Sequence, residues 1–570
     1  MCVVVILASS LRCGVAQVKA ADAVPVMTDI TASTGIRFNH LSSPEAKYIV
    51  ESMSGGVALL DFDGDGWLDI YFTNAPSVAM AQAGALSPGT KTPARSALYL
   101  NNHDGTFTDV SEKAGVATPC WAMGAAVGDI DNDGWPDLAV SCFGGVVLYR
   151  NNHDGTFANV TKKAGLDVDQ GWATGVVFGD YDGDGFVDLF VPHYVDLDLE
   201  HLPVFGSQKT CKYHEVDVQC GPRGLKGSPD TLYRNNGDGT FTEVSVAAGV
   251  NDPQRFFGMQ GVWSDFDGDG KLDLFVANDG EPNFLYRNEG GGKFKEIGAD
   301  AGVALSENGE EQANMGVAIG DYTRTGRQSV AITHFSEDYA VLYRNEGGMN
   351  FTDVAHGAQV AQSSLPYVGW GDAFLDTANR GLLDLVLVNG HVYPQVDNAQ
   401  LGTSYKEPKL LFWNNGDGTF RDVSSEAGPA LHVPQVSRGL AVGDLFNTGK
   451  LNVVIENLTG QPMVLQAESD PRNHWISFQL EGSPSNRLAL NARVYIRTGK
   501  VQQMAEILSG GSYLSQNDLR LHFGLAESTH VDEVKVVWPD GKEQIVQNIL
   551  ADHFYHLKEG GALTPQAIRH

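Results

Sequence analysis

The chain has 570 residues, of which 42% are hydrophobic and 66 are glycine, and its formal net charge is −31. This length allows one large domain and a second domain of about 90 residues. The acidic charge argues against nucleic acid or an anionic membrane as a partner, because both require basic patches. Since helical periodicity is almost absent and glycine is abundant, we expect an all-β protein of short strands and turns.

The first 21 residues resemble a secretion signal. Met1 begins a short apolar run that is followed by small residues, with a possible cleavage point near Ala20 or Ala21. The basic residues that normally precede the apolar run are missing, so we predict a clipped signal, and a disordered apolar leader is the alternative. No later stretch approaches the roughly 20 apolar residues of a membrane span, so we expect no transmembrane segment.

Four nine-residue loops repeat the pattern Asp-x-Asp-x-Asp-Gly-x-x-Asp. The carboxylates at positions 1, 3, 5 and 9 supply hard oxygen ligands, and glycine at position 6 permits a sharp turn. Position 7 varies in side chain, as expected where the backbone carbonyl is the ligand. The predicted calcium ligands are Asp61, Asp63, Asp65, Trp67 and Asp69 in loop 1, Asp129, Asp131, Asp133, Trp135 and Asp137 in loop 2, Asp180, Asp182, Asp184, Phe186 and Asp188 in loop 3, and Asp265, Asp267, Asp269, Lys271 and Asp273 in loop 4.

Apolar, strand-forming residues flank each of these loops, so each loop is predicted to join two strands. An EF-hand would instead need flanking helices and a glutamate at position 12. The alternative, an acidic hairpin turn without metal, would leave crowded carboxylates that repel one another. We therefore expect about four bound Ca²⁺ ions, which millimolar extracellular calcium would supply and cytosolic calcium generally would not. This favours a secreted, periplasmic or extracellular protein.

The longest excursion between loops covers about residues 195–228 and contains Cys211 and Cys220. A long segment with little core of its own is usually functional or cross-linked, and the compartment is expected to be oxidising. We therefore predict a disulfide between these two cysteines. Cys120 and Cys142 form a second candidate pair, for which two small buried free cysteines are the alternative.

Three further loops, here loops 5 to 7, keep the turn and lose most of the ligands. They start at Asp321, Asp376 and Asp444 and retain glycine at position 6. Because positions 3 and 5 carry no carboxylate, we predict that none of the three binds calcium well. Arg380 could place its own cation where the metal would sit. The residues at positions 3 and 5 are Thr323 and Thr325, Ala378 and Arg380, and Phe446 and Thr448.

Each repeat also contains an Asn-rich hairpin, such as Leu98 to Phe107, with Asp-Gly or Gly-Gly between two apolar runs. We interpret the acids of these hairpins as turn formers, not ligands. Two strands around the Asp loop and two around the hairpin make a four-stranded blade, and seven repeats predict a seven-bladed β-propeller over residues 27–470. Only six hairpins accompany the seven loops. Residues 27–36 match the second half of a hairpin, so we expect the N-terminal segment to complete the last blade and close the ring.

The repeats resemble the FG-GAP repeats of integrin α-subunits and the VCBS family. The order of motifs is similar to that of the cartilage acidic protein family, whose members end in an ASPIC/UnbV domain. The C-terminal match includes Asn473-His-Trp-Ile, the run from Gly510 to Gly524 and Val537-Trp-Pro-Asp-Gly541. The resemblance implies a small β-rich domain over residues 473–558, followed by a tail at 559–570. The degraded loops depart from the family pattern. They make the number of bound metal ions uncertain, but they do not affect the predicted fold.

Polar residues recur thirteen positions after the loop starts, where the second strand of each blade should reach the opposite face. Together with their neighbours they would surround one mouth of the central channel, where propellers often bind ligands. The alternative is that Asn and His merely end strands, because Asn suits turn geometry. The residues of this predicted channel-mouth ligand site are Asn74, His193, Asn278, Asp279, His334, Asn389 and His391.

The sequence thus predicts a secreted calcium-binding propeller that acts as an interaction or adhesion module toward a protein or glycan partner. The role of calcium would be mainly structural. A propeller enzyme, a lyase or hydrolase with its site at the channel mouth, is the alternative, since fold does not determine function. Against it, the Gly-x-Ser-x-Gly, His-Glu-x-x-His and Cys-x-x-Cys motifs are absent from the sequence.

Overall fold

The computed structural model describes residues 23–44, 47–86, 94–117, 120–168, 171–199, 201–202, 211–399 and 401–566. The predicted leader at residues 1–21 lies outside these residues. The described chain consists of short strands joined by loops and single helical turns, so the all-β prediction is confirmed. None of its helices is both long enough and apolar enough to cross a membrane.

Seven four-stranded antiparallel sheets, here blades 1 to 7, occupy residues 26–468 of the described chain. The first strand is β1 (Val26–Asp29). Blade 1 contains β2 (Val57–Leu60), β3 (Asp69–Phe72), β4 (Ala97–Asn101) and β5 (Phe107–Asp109), and blade 2 contains β6 (Trp121–Gly128), β7 (Asp137–Phe143), β8 (Gly145–Asn151) and β9 (Phe157–Asn159). Blade 3 contains β10 (Val177–Gly179) and β11 (Asp188–Val191), then, after the separate hairpin of β12 (Cys211–Tyr213) and β13 (Val216–Val218), β14 (Thr231–Asn235) and β15 (Phe241–Glu243).

The remaining blades follow in the same order. Blade 4 contains β16 (Gly258–Ser264), β17 (Asp273–Asn278), β18 (Phe284–Gly290) and β19 (Lys293–Glu296), and blade 5 contains β20 (Val317–Gly320), β21 (Ser329–Ile332), β22 (Val341–Gly347) and β23 (Asn350–Asp353). Blade 6 contains β24 (Gly369–Leu375), β25 (Asp384–Asn389), β26 (Leu410–Asn414) and β27 (Phe420–Asp422), and blade 7 contains β28 (Ser437–Gly443), β29 (Asn452–Asn457) and β30 (Met463–Glu468) together with β1.

The N-terminal strand closes the ring, as residues 27–36 predicted. Strand β1 pairs antiparallel with β30, from Val26 opposite Glu468 to Asp29 opposite Leu465. The first strands of successive blades contact one another, and β28 of blade 7 contacts β2 of blade 1. The two ends of the array are therefore joined by backbone hydrogen bonds instead of being left as an unpaired edge.

Packing between blades explains why their inner strands are continuous apolar runs. Every residue of Val57–Leu60 and of Asp69–Phe72 is buried, because each inner strand is covered by a neighbouring blade on both faces. The outer strands are short and each has one buried residue, as in Phe107–Asp109, where Phe107 is the buried position. This difference in burial places the first strand of each blade at the ring interior and the last strand at its rim.

Short helical turns follow several outer strands. The α-helices are α1 (Thr31–Thr34), α2 (Val78–Gln82), α3 (Ser111–Ala114), α4 (Thr161–Ala164), α5 (Ser245–Ala248), α6 (Gly298–Ala301) and α7 (Ala361–Ser364), and 3₁₀ turns cover Ile49–Ser52, Pro394–Asn398 and Pro429–His432. Helix α3 ends at Gly115, whose φ is 78°, and α1, α4, α5 and α6 end at glycines in the same left-handed conformation. Such glycines terminate helices because they carry no Cβ.

The C-terminal domain is a pair of four-stranded sheets. Its strands are β31 (His474–Glu481), β32 (Arg493–Thr498), β33 (Val501–Glu506), β34 (Leu521–Ala526), β35 (His530–Val537), β36 (Glu543–Leu550), β37 (His553–Lys558) and β38 (Leu563–Pro565). The orders are β34–β31–β37–β38 and β33–β32–β35–β36. Phe478 of the first sheet and Ile496 of the second belong to one buried cluster.

The predicted tail at residues 559–570 is wrong in part, because β38 lies within it. Leu563 and Pro565 pair with Leu557 and Tyr555 of β37, and Leu563 packs against the core of the domain. The edge of β37 thus takes one more strand, and an apolar residue holds that strand in place.

The C-terminal domain lies on the face of the propeller that carries the Asp loops, and one of its segments enters the central channel. We call this segment, residues 507–517, the plug. The amide of Gln516 donates to the carbonyl of Val57 at 2.9 Å, and Ser512 pairs with Val317. A Cβ added to Gly56 would lie 2.1 Å from the carbonyl oxygen of Leu514. Glycine in the innermost strands therefore makes room for the plug.

Candidate metal centres

Each intact Asp loop joins the first strand of its blade to the second, as predicted, and brings its carboxylates together. In all four loops, carboxylate oxygens of three aspartates lie within 4.8 Å of one another. These groups are Asp61, Asp63 and Asp69; Asp129, Asp131 and Asp137; Asp180, Asp182 and Asp188; and Asp265, Asp267 and Asp269. The loops therefore hold oxygen donors at a spacing that one cation can bridge.

The aspartate at position 1 shapes the turn. Asp61 Oδ1 accepts from the amide of Asp65 at 3.0 Å and Asp61 Oδ2 from the amide of Gly66 at 2.9 Å. The same two bonds occur in all seven loops, intact and degraded. Gly64 and Gly66 have φ of 71° and 91°, which glycine adopts without strain.

The aspartate at position 9 links the loop to its hairpin. Asp69 Oδ2 accepts from the amide of Phe62 at 3.2 Å, and Asp69 Oδ1 accepts from the amide of Asn101 at 2.8 Å. Loops 2 to 4 repeat both bonds. Because each carboxylate oxygen has further lone pairs, these bonds orient the group and leave acceptor capacity toward the centre of the loop.

The electrostatics of the loops call for a cation. Burial, with repulsion from Asp65 and Asp63, raises the pKa of Asp61 to about 6, although the amide of Gly66 lowers it. Burial likewise raises the pKa of Asp180 to about 7 and that of Asp69 well above its ordinary value.

The aspartates at position 3 of loops 1 and 2 each have one carboxylate oxygen that a bound metal ion could satisfy. Asp63 Oδ1 and Asp131 Oδ1 are buried and have no hydrogen-bond partner among the residues that the structure describes. Such atoms are costly unless a donor or a cation satisfies them. The convergent carboxylates and these orphaned oxygens fit a hard divalent cation of the Ca²⁺ type, whose charge would offset the mutual repulsion.

The four loops differ in the cationic side chains around them. In loop 4, Lys271 bonds Asp269, and Arg493 of the C-terminal domain lies 3.3 Å from Asp265 Oδ2. In loop 2, Arg150 bonds Asp131. We therefore expect the loops to differ in their affinity for calcium. In loop 4, calcium would face the strongest competition from the protein's own cationic side chains.

Position 5 faces a histidine of the hairpin in loops 1 and 2. His103 Nε2 lies 2.5 Å from Asp65 Oδ2, and its ring stacks on Trp67 with centroids 4.8 Å apart. His153 makes the same pair of contacts with Asp133 and Trp135. The residue at position 7 thus packs against the hairpin, in addition to the backbone role predicted for it.

The acids of the hairpin itself form turns. Asp104 Oδ1 accepts from the amide and hydroxyl of Thr106, at 3.0 and 2.5 Å, and three other hairpins repeat this arrangement. Asp104 belongs to none of the four acidic clusters and is exposed at the surface. The interpretation of these acids as turn formers agrees with this geometry.

Among the degraded loops, loop 6 holds a protein cation. Arg380 Nη2 lies 2.8 Å from Asp384 Oδ1 at position 9, and both side chains are buried. The guanidinium also lies 3.3 Å from the ring centroid of Trp413. Arg380 therefore bonds a carboxylate equivalent to a predicted ligand, as the sequence suggested.

Sequence reasoning missed the asparagine that begins each hairpin turn. Asn151 Nδ2 donates to Phe62 O of the preceding blade at 2.8 Å and to Pro136 O of its own blade at 3.1 Å. The recurrence of Asn at this position could have revealed the role. The equivalent bonds to the preceding blade come from Asn101, Asn235, Asn288, Asn345 and Asn414.

The C-terminal domain contacts several loops directly. The amide of Arg487 donates to Asn132 Oδ1 at 2.9 Å, and Arg520 Nη1 donates to Asn447 Oδ1 at 2.6 Å. His522 Nε2 lies 2.7 Å from Asn379 Oδ1. All three asparagines occupy position 4 of their loops, so the metal-loop face is also the docking surface of the C-terminal domain.

Most residues of the predicted channel-mouth site are engaged with other protein groups and do not line a common cavity. Asn74, Asn278 and Asn389 donate their side-chain amides to backbone carbonyls of Asn39, Pro282 and Pro408. The amide of His193 donates to Asp230, His334 bonds Asn314, and His391 packs against Tyr213. Asp279 alone of the predicted set lines a cavity of about 400 Å³ at this mouth, within the described residues.

The insertion covers this side of the propeller. Cys211 and Cys220 form a disulfide with Cα atoms 5.1 Å apart, and Cys120 and Cys142 form another at 6.1 Å. Tyr213, in the hairpin of β12 and β13, packs against rings of blades 5 and 6. The disulfide therefore ties the two ends of a hairpin that lies over the channel mouth.

Two protein-family models match the chain, one in the propeller and one in the C-terminal domain. The FG-GAP-like repeat model matches residues 61–140, 131–191 and 265–332, which contain the four intact Asp loops. The ASPIC and UnbV model matches residues 482–564, which include the plug and end within β38 at Thr564.

Curated relatives are cartilage acidic proteins. Cartilage acidic protein 1 of Homo sapiens is 25% identical over 330 residues, which are 56% of this chain and 47% of the relative. That of Mus musculus is 26% identical over 276 residues, which are 47% of this chain and 40% of the relative. The chain spans about half the length of the curated relatives it matches, or less.

Among solved structures, an Agrocybe aegerita lectin that recognises non-reducing terminal N-acetylglucosamine is similar at 17% identity and a TM-score of 0.36, covering 71% of this chain and 87% of the lectin. This TM-score is too low to support a functional comparison. The repeat and C-terminal matches confirm the resemblance found in the sequence. The chain therefore contains segments that match FG-GAP-like repeats and a C-terminal segment that matches the ASPIC and UnbV model, and it is similar to cartilage acidic protein 1.

Proposed function

We propose that the protein is an extracellular or cell-envelope calcium-binding module that recognises a partner on the face opposite its metal loops. The observation that carries the calcium assignment is the set of four acidic clusters, in two of which a buried position-3 oxygen has no partner in the described part of the chain. Ca²⁺ would be held by the aspartates at positions 1, 3, 5 and 9 and by the carbonyl at position 7. When bound, it would neutralise carboxylates that otherwise repel one another.

The role of calcium in this proposal is structural. The loops lie under the C-terminal domain, and Arg493 and Arg487 of that domain contact loops 4 and 2. Ordering the loops would therefore stabilise both the blades and the docking of the C-terminal domain. Because binding to the folded state alone adds stability, the effect should follow the concentration of free calcium.

Extracellular or envelope placement is supported by two disulfides and by the calcium requirement. Disulfides persist in oxidising compartments, and loops of this kind are filled at extracellular calcium concentrations. The similarity to cartilage acidic protein 1 favours the same placement. A protein or glycan partner fits the acidic surface better than nucleic acid does.

The metal assignment is tested by counting ions after equilibrium dialysis against calcium. Wild type should hold about four ions per chain, Asp63→Ala and Asp267→Ala about three each, and Thr323→Ala about four, because the threonine lies in a degraded loop. Asp104→Ala is the matched control, since it removes an aspartate of the same blade that forms a hairpin turn. A wild-type protein without bound calcium, or Asp63→Ala with an unchanged count, would refute the assignment.

A further inference from the structure

The cavity at the channel mouth is a blind pocket. The plug closes the channel beneath it, because the Tyr513 hydroxyl donates to the carbonyl of Met53 and its ring meets Trp370 with centroids 4.7 Å apart. Met53 and Trp370 both line the cavity. A ligand can therefore enter from the face that carries the insertion and cannot pass through the ring.

The walls of the cavity combine aromatic rings with acids. Tyr194, Phe335, Trp370 and Tyr393 supply aromatic surface, and Asp279, Glu311 and Asp338 supply carboxylates. Among the described residues that line the cavity, Arg223 is the single one with a cationic side chain, and its guanidinium is engaged by Gly280 O at 3.3 Å and by Glu311 at 3.8 Å. The lining is thus negative, with aromatic faces beside the charges.

The polar groups of the cavity are mainly hydrogen-bond acceptors. Asp279 Oδ2 accepts from the Tyr194 hydroxyl at 2.5 Å, which fixes the carboxylate at the wall. Gln219 lines the same cavity, is only 6% exposed, and its Oε1 has no hydrogen-bond partner. A buried acceptor of this kind needs a donor, and the described part of the chain does not provide one. The cavity therefore suits a ligand that brings donors and no acceptors.

We propose that this cavity binds the ammonium or guanidinium end of an alkyl chain, presented as a lysine or arginine side chain by a partner protein. The proposal rests on the function proposed above, because it names the chemistry that the open face would recognise. Ammonium and guanidinium groups carry donors alone, pair with carboxylates and lie well against aromatic rings. The alkyl stem can cover apolar wall, and about 400 Å³ is within the range of ligand cavities. The net charge of −31 also attracts cationic partners.

The test uses the full chain with calcium and isothermal titration with small probes. Nα-acetyl-lysine amide and Nα-acetyl-arginine amide should bind saturably, and Nα-acetyl-norleucine amide, which lacks the charge, should bind about tenfold more weakly or not at all. Asp279→Asn should weaken the cationic probes by about tenfold, and Gln219→Leu by a smaller factor. Asp300→Asn, an exposed acid on α6, is the matched control and should change nothing. A lysine-containing peptide that binds more tightly than the free probe would identify a protein as the source of the cation.

Several results would overturn the proposal. These are equal binding of the norleucine probe, preferential binding of N-acetylglucosamine, or unchanged affinity in both Asp279→Asn and Gln219→Leu. Should Asp279→Asn fail to fold, the Gln219→Leu variant alone decides, because its side chain lies in the insertion. Ions are counted on the same samples. A calcium-loaded chain that binds no cationic probe contradicts this inference alone, whereas a chain without calcium contradicts the proposed function.

Discussion

Blades 1 to 4 and blades 5 to 7 have the same loop backbone and different loop chemistry. The position-1 aspartate caps the turn in both sets, and position 4 has positive φ in both, from Asn132 in loop 2 to Arg324, Asn379 and Asn447 in loops 5 to 7. The sets differ at positions 3 and 5, where the second set has lost its carboxylates. The turn and the metal site are therefore separable features of one motif.

In two of the degraded loops, protein groups take over what a bound cation would do in the intact loops. In loop 7, Asn452 Oδ1 accepts from the amide of Leu445 at 3.1 Å, which is the bond that aspartate makes at position 9 of the intact loops. In loop 6, Arg380 supplies the cation that pairs with Asp384. A neutral amide or a guanidinium can thus hold the same turn, and blades 5 to 7 should be stable without calcium.

Removing calcium should have the largest effect. Each occupied site contributes about 2.7 kcal/mol when free calcium exceeds its dissociation constant a hundredfold, so emptying four sites should lower the melting temperature by at least several degrees. Hydrogen exchange with and without chelator locates the effect, which we expect in loops 1 to 4 and in the docked domain. An unchanged melting temperature, or exchange that increases equally in loops 5 to 7, would contradict the comparison.

The calcium-free protein should lose stability as pH rises from about 4 to about 7. Burial raises the pKa of Asp61 and Asp129 to about 6 and of Asp180 to about 7, so the folded state retains protons that the unfolded chain has released. The loss amounts to about 1.4 kcal/mol for each unit by which a pKa is raised, summed over the groups. Urea unfolding of the calcium-free protein at several pH values measures it.

A matched pair of variants checks this pH dependence. Asp180→Asn should reduce the slope of stability against pH, because it removes a carboxyl whose pKa is raised, whereas Asp104→Asn should not. Saturating calcium should also flatten the slope, since the ion replaces the protons. Stability of the calcium-free protein that increases over this pH range would contradict the prediction.

Removing the guanidinium of loop 6 should lower the free energy of unfolding by a smaller amount, and this loss should not depend on calcium. Arg380→Gln leaves Asp384 buried without its guanidinium, which should cost about 3 kcal/mol in the free energy of unfolding. Arg150→Gln in loop 2 is the control. Its side chain is 41% exposed, so the cost should stay below about 1 kcal/mol. Equal losses in the two variants, measured by urea unfolding, would mean that loop 6 is not internally compensated.

Much of the loop chemistry could be predicted because it is local. The nine residues of loop 1 contain the turn glycine and the clustered aspartates, so their proximity does not depend on the rest of the fold. The hairpin acids were also interpretable, since Asp104 bonds a residue two positions away. The role of Asn151 was missed because its partner Phe62 lies in the preceding blade, 89 residues away. That Asp279 alone of the predicted channel-mouth residues lines the cavity could not be predicted for the same reason.

The sequence by itself determined the repeat, the position of each acidic loop and the return of the N-terminal strand to the last blade, because regular spacing and short-range turns encode them. Tertiary structure alone decided that the C-terminal domain covers the metal loops and that its plug fills the channel. Ser515 of the plug bonds the amide of Val57 across 458 residues, a distance over which no sequence pattern specifies contact. The cavity above the plug exists because packing places distant aromatic rings, Asp279 and Gln219 around one space.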